Sequence, residues 1–232
     1  MLIDMHVHSS GVSHCAKKDA GGMIEDSIAV GLDGFVLCNH YTKKYVEKMG
    51  IPEFNDLMTN EFREAKKIGE KLGFRVFFGV EVTLERYDGA HMLVYGVDDE
   101  FHKRHRGLYD MTQKELYEAV KSEGGIVVQA HPMRDGKDVL LDLRYLDGIE
   151  LNNHIKYDGP HAEHFCELAR RYGKFVTSGG DYHADTRRTF CGVYFPGGLT
   201  DCRELKDFLL ACDSYDVQLE DTPSRIVFTK GK

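Results

Sequence analysis

Short runs of Val, Ile, Phe and Leu recur along the chain. Between them lie longer stretches in which apolar residues return every three or four positions. The short runs read as strands at Leu2–Val7, Gly34–Cys38, Arg75–Thr83, His91–Val97, Gly125–Ala130, Gly148–Leu151, Lys174–Ser178, Gly192–Phe195 and Arg225–Thr229. The longer ones read as helices at Met23–Val30, Glu53–Leu72, Thr112–Glu123, His161–Tyr172 and Asp201–Cys212. Glycines at Gly31, Gly73 and Gly124 mark helix ends, and Thr112 with Glu115 has the spacing of a capping box.

Strands alternating with helices through short connections predict parallel pairing and an α/β fold. About seven such units favour a closed or nearly closed, TIM-like barrel over an open doubly wound sheet. The open sheet is further disfavoured because neither G-x-G-x-x-G nor a P-loop follows the first strand. No repeat or linker-like stretch divides the 232 residues, so a single domain over 1–232 is expected.

No apolar stretch approaches the roughly 18–20 residues of a membrane span. The start, Met1-Leu2-Ile3-Asp4-Met5-His6, lacks the basic and apolar regions of a secretory leader. None of the six cysteines forms a C-x-x-C pair, so reduced, mostly buried thiols in a cytoplasmic protein are expected. The 30 basic and 38 acidic residues leave a net charge of −8, a poor match to extended nucleic acid.

The 12 histidines change the picture. His6 and His8 end the first strand, His40 the second and His131 the fifth; Asp181 and His183 end the seventh. Glu81 lies late in the third strand and Glu150 ends the sixth. In an α/β barrel these strand ends converge on one face, where active sites are built. Residues two apart on a strand point the same way, so His6 and His8 can grip one ion together, and Asp181 with His183 repeats the spacing. Imidazoles with carboxylates suit Zn²⁺, Mn²⁺ or Fe ions, with Mg²⁺ possible. Asp4 is placed to hydrogen-bond an imidazole N–H. His102, His105, His161 and His164 read as surface residues; the first two sit in a charged run at 100–106.

At these residues the sequence resembles the PHP (polymerase and histidinol phosphatase) family, from His6 to His183. The resemblance implies a distorted (β/α)7 barrel, up to three divalent ions, and hydrolysis of phosphate esters. It implies that His6, His8, Glu81 and Asp181 hold a first ion. Glu81 would bridge to a second, held also by His91 and His131, and a third would lie among His14, His40 and His183. Two positions depart from the family pattern: Asn39 stands before His40 where Asp is common, and Gly180 before Asp181 where Ser is common.

The expected activity is that of a phosphoesterase acting on a small molecule such as histidinol phosphate or a nucleotide. A hydroxide bridging two ions would attack phosphorus. Glu81 and Asp181 would act in catalysis as well as ligation. Arg134, Arg187 and Arg188 are expected to grip the substrate phosphate, Arg134 also acting at the reaction centre, and His154 to protonate the leaving alcohol. Loaded ions would make the site positive despite the charge of −8. A nuclease and an inactive metal-binding module are the alternatives.

Overall fold

The computed structural model describes residues 1–133, 140–151, 161–183, 190–219 and 225–231, without the His161 side chain. Strand β1 (Leu2–Val7) is buried along its whole length and has neighbours on both sides. It pairs in parallel with β2 (Gly34–Leu37). The two-residue β3 (His40–Tyr41) and β2 both pair in parallel with β4 (Arg75–Leu84), which sets His40 opposite Glu81. The sheet continues through β5 (Ala90–Tyr95), β6 (Ile126–Gln129), β7 (Gly148–Glu150) and β8 (Phe175–Thr177).

The chain leaving β8 then returns to β1. Met5 N–H donates to Ser178 O at 3.2 Å, His8 N–H donates to Tyr182 O, and Tyr182 N–H donates to His6 O across the seam. A side chain at Gly179 would sit 2.4 Å from the His6 Cβ, so only glycine lets the seam close here. The result is the expected nearly closed barrel, with β1, β2, β4, β5, β6, β7 and β8 as its staves.

The pairing is not parallel throughout, as the alternation predicted. β5 runs antiparallel to both β4 and β6. Only residues 85–89 separate β4 from β5, too few for a crossover helix, which takes a dozen or more. Asp88 and Gly89, with φ of 51° and 76°, make the turn. The last strands also leave the barrel. β9 (Gly192–Tyr194), β10 (Ser214–Gln218) and β11 (Arg225–Thr229) form an antiparallel extension, joined to the start of β1 by Leu2 opposite Tyr194. Polar Ser214, Asp216 and Gln218 alternate along β10, which hides it among the apolar runs of the sequence.

Seven helices are seen among the described residues: α1 (Ala20–Ala29), α2 (Lys43–Met49), α3 (Ile51–Leu72), α4 (Phe101–Arg104), α5 (Gln113–Ser122), α6 (His161–Arg171) and α7 (Cys202–Ala211). The Thr112/Glu115 capping box forms at α5. The short α2 and α4 were not expected. None of the helices is long and apolar enough to cross a membrane.

Alternation along β4 divides the core. Val76, Phe78, Val80 and Val82 face outward, in the cluster that includes Phe54, Met58 and Phe62 of α3. Phe77 points inward among Val36, Leu93 and Tyr95. Gly79 and Glu81 continue that inward row, so period-two geometry delivers a carboxylate to the barrel's upper end.

His102 is not on the surface, as its charged run suggested. It is 0% exposed, with Nε2 2.9 Å from Asn55 O and 3.2 Å from Thr59 Oγ1 of α3. The single turn of α4 aims Phe101 and His102 inward and leaves Arg104 exposed. His105 is partly buried against Glu123, while His164 is exposed.

Candidate metal centre

The centre begins where β1 ends. The register of β1 against β2 shifts between Asp4 and Val7, and His6, within that stretch, and His8, just after it, bring their Nε2 atoms to 3.0 Å from each other. Asp181 Oδ1 lies 3.0 Å from His8 Nε2 and 3.4 Å from His6 Nε2. Glu81 Oε1 is 3.4 Å from His6 Nε2, and its Oε2 is 3.5 Å from His8 Nε2. Two donors each about 2.1 Å from one cation, at 90–110°, stand about 3.0–3.4 Å apart. The four side chains therefore have the spacing of neighbouring ligands, and they are nearly fully buried.

Glu81 extends the cluster. Its Oε1 lies 2.8 Å from His91 Nδ1 and 3.1 Å from His131 Nε2. Its Oε2 lies 2.5 Å from His40 Nδ1, yet neither atom has a partner in hydrogen-bond geometry. Two buried polar atoms crowded without a bond are costly unless a cation satisfies both. His91 stands at the start of its strand, but β5 is antiparallel, so that start lies on the same barrel end as the other ligands. A third group forms from His8, His40 and His183, with the Nε2 atoms of His40 and His183 at 3.4 Å. His183 Nδ1 donates to Asp181 O at 2.7 Å, which leaves its Nε2 a lone pair.

The rings are held from behind. Glu150 is 0% exposed; its Oε1 takes His6 Nδ1 at 3.0 Å and its Oε2 accepts the His131 N–H at 2.8 Å. Ser13 Oγ contacts His8 Nδ1 at 3.2 Å, donates to Asn39 Oδ1 at 2.9 Å, and accepts His40 N–H at 3.0 Å. Asn39 thus ties the 9–13 loop to the cluster from the position where the family pattern has Asp. Asp4 was expected on an imidazole. It instead accepts the backbone N–H groups of His6 and Gly180 at 2.9 and 3.0 Å, and Glu150 takes the His6 ring. Asp181 and His131 carry positive φ, 45° and 26°, the strained backbone that collects at functional sites.

Electrostatics follow from this crowding. Burial opposes charge on His6, but Glu150, Glu81 and Asp181 hold it protonated well above the usual imidazole range. His8 goes the other way, lowered by burial and by His40 and His183. Burial works against His40, yet Glu81 and Cys15 push it up to about 10. Burial alone would raise Glu81; the surrounding His91, His40 and His6 bring it well below the carboxylate range. With this many protonated rings around Glu81, cations can take the protons' places.

The structure brings His6, His8, His40, Glu81, His91, His131, Asp181 and His183 into one cluster. His14 does not join the metal-ligand groups formed there. Its side chain is exposed and packs edge-on to Tyr45, with ring centroids 4.7 Å apart. Its neighbour Cys15 is exposed as well. Burial would raise that thiol, but His183 and His40 bring it down to about 5. Arg134, His154, Arg187 and Arg188 lie outside the described residues. Glu150 carried a signal in the sequence, its strand-end position.

No protein-family model and no curated protein matches the chain. Solved structures do. A two-domain protein from Bacteroides vulgatus, containing a predicted PHP-like metal-dependent phosphoesterase, superposes with a TM-score of 0.70 at 17% identity, over 95% of this chain and 65% of that one. The chain thus spans just under two thirds of that protein's length. A protein from Bifidobacterium adolescentis described as a metal-dependent phosphoesterase gives 0.59 at 18%, over 89% and 95%. An amidohydrolase from Chromobacterium violaceum, solved with sulfate and without metal, gives 0.59 at 15%, over 89% and 96%. The chain shares the fold of these structures.

Proposed function

We propose that the chain is a metal-dependent phosphoesterase of the PHP type, a single catalytic domain that hydrolyses a small-molecule phosphate ester. The observation that carries this reading is the spacing of His6, His8, Glu81 and Asp181, whose donor atoms stand 3.0–3.5 Å apart around a shared centre. Glu81 has both carboxylate oxygens inside the cluster, as a residue joining two sites must. His91 and His131 complete the second site, and His40 with His183 belongs to a third. Divalent ions in such a centre supply activated water and charge to offset the phosphoryl oxygens.

The chain's own groups prepare that centre. Glu150 fixes the His6 tautomer, so Nε2 faces inward. Ser13 does the same service for His8. The barrel's upper end gathers three carboxylates, Glu81, Asp181 and Glu150, against which two divalent ions already leave a net positive site. A dianionic ester is therefore drawn in, although the chain carries −8 overall. Arg134, Arg187 and Arg188 follow site residues in the chain and are proposed to hold the phosphate, with His154 the proposed proton donor to the leaving group.

The amidohydrolase neighbour favours amide hydrolysis as a second reading, since activated water attacks carbonyl carbon as well as phosphorus. A release screen separates the two. Histidinol phosphate, nucleotides, sugar phosphates and a set of amides are offered with Mn²⁺, Zn²⁺ and Mg²⁺ in turn. Metal-dependent phosphate release is expected. Amide cleavage without phosphate release overturns the phosphoesterase reading.

A further inference from the structure

Glu61 of α3 lies outside the donor groups, yet it reaches the loop behind them. Its Oε1 accepts the Ser9 hydroxyl at 2.7 Å. A side-chain carbon at Gly11 would fall 2.1 Å from its Oε2, so glycine is what admits the carboxylate to the loop. From Ser9 onward the bonds have one polarity. Ser9 N–H can only donate, so the oxygen of the Asn39 amide faces it, at 2.9 Å. The amide nitrogen then lies 3.1 Å from Ser9 Oγ and donates to it. That hydroxyl has one proton, which goes to Glu61 at 2.7 Å rather than to Asn39 Oδ1 at 3.5 Å. Ser13 Oγ donates to Asn39 Oδ1 at 2.9 Å and accepts His40 N–H at 3.0 Å, which leaves its other lone pair for His8 Nδ1–H at 3.2 Å. Ser9, Ser13 and Asn39 are all buried, so a donor or acceptor left over in this chain is costly.

We propose that Glu61 is a positioning residue of this centre: because it takes the Ser9 proton, position 39 has to be an amide, and the chain Glu61–Ser9–Asn39–Ser13 leaves His8 Nε2 free to ligate. The inference rests on the reading of the cluster as a metal centre. It accounts for Asn39 where the family pattern has Asp. An aspartate at 39 offers acceptors on both sides, so its second oxygen faces Ser9 Oγ. Two carboxylates then compete for one hydroxyl proton, and the loser stays without a partner. A glutamine at 61 resolves the conflict by reversing the chain. Its NH2 donates to Ser9 Oγ, and the Ser9 hydroxyl donates to the introduced aspartate. The aspartate's other oxygen keeps Ser9 N–H and Ser13 Oγ–H. Asn39 with Glu61, and aspartate with glutamine, are the two matched pairs.

The swap is the test. Asn39→Asp is made in the wild type and in the Glu61→Gln and Glu61→Leu backgrounds. Melting is followed in chelator, and Zn²⁺ affinity by competition with a chromophoric chelator. Comparing backgrounds cancels the charge added at position 39. In the wild-type background Asn39→Asp should lower the melting temperature by at least about 2–4 °C. Its effect on Zn²⁺ affinity should be at least about fivefold worse there than in Glu61→Gln. Leucine removes the charge of Glu61 but cannot donate, so Asn39→Asp should stay impaired in Glu61→Leu. Gly11→Ala, which displaces the carboxylate while Glu61 stays, should weaken Zn²⁺ binding as Glu61→Leu does. An equal effect of Asn39→Asp in all three backgrounds, or relief by leucine as complete as by glutamine, overturns the proposal. So does coupling in the melts without coupling in Zn²⁺ affinity. Should Asn39→Asp fail to fold by itself, folding of the double variant with Glu61→Gln supports the proposal and its failure to fold overturns it. Coupling in the melts with no Zn²⁺ bound even by wild type overturns instead the metal-centre reading beneath it.

Discussion

Replacing Glu150 with Gln changes one buried atom and should weaken the whole centre. The carboxylate is 0% exposed and serves two donors, the His6 Nδ1–H at 3.0 Å and the His131 backbone N–H at 2.8 Å. If His6 offers Nε2 to an ion, its Nδ1 must carry the proton. Glutamine has one oxygen and one NH2. Either way round, the NH2 faces an N–H, and one buried donor goes unpaired. That costs about 1–3 kcal/mol. At 1.4 kcal/mol per tenfold, it is a loss of about 5- to 150-fold in metal affinity, which brackets the roughly 10–100-fold typical of such partners. The assay is a competition titration of metal-free wild type and Glu150→Gln, with Zn²⁺ partitioned against a chromophoric chelator and circular dichroism confirming the fold. Equal affinities in two folded proteins would refute the reasoning, because Glu150 would then not be orienting a ligand.

Glu81→Gln should reduce p-nitrophenyl phosphate hydrolysis at least about 100-fold, since both oxygens contact the cluster; wild-type turnover would remove Glu81 from its bridging place. Metal-free protein should melt at the highest temperature between about pH 4.5 and 6.5. His40, raised from 6.5 to about 10, stabilises the fold fully below 6.5 and loses that contribution as the pH rises through 10; Glu81, depressed below 4.5, contributes above 4.5 and loses it on acidification. A melting temperature in chelator that climbs steadily from pH 6.5 to 10 contradicts this. His102→Ala should destabilise by about 1–3 kcal/mol in chemical denaturation, because a buried hydrogen-bonded ring is removed, yet leave metal affinity unaltered; a neutral effect on stability would put His102 back at the surface.

Much of the barrel was legible because its strands obey period two. The H-x-H pair at the end of an apolar run announced both the strand and its use, and the inward row Phe77, Gly79, Glu81 could be read as alternation alone. What alternation does not carry is direction. The Asp88-Gly89 turn reverses the chain, so His91 reaches the centre from the beginning of a strand, where a rule about strand ends would not look. Loops obey no period either. Nothing in Ser13-His14-Cys15 says which side chain faces inward; it is Ser13, while His14 and Cys15 are exposed. His102 misled for a related reason. A run of charges reads as a wet face, but a single helical turn can bury two residues and expose the rest. The amidohydrolase and phosphoesterase neighbours share this fold at 15–18% identity, so the chemistry has to be argued from the donor atoms.

The central claim is that these donors hold several ions that act together on phosphate. Metal-free protein titrated with Mn²⁺ or Zn²⁺, while bound metal and p-nitrophenyl phosphate hydrolysis are followed in the same samples, tests it most directly. The account predicts about two to three ions per chain, with hydrolysis appearing as the second site fills. Saturation at one ion, or undiminished phosphate release from protein shown to be metal-free, would contradict it.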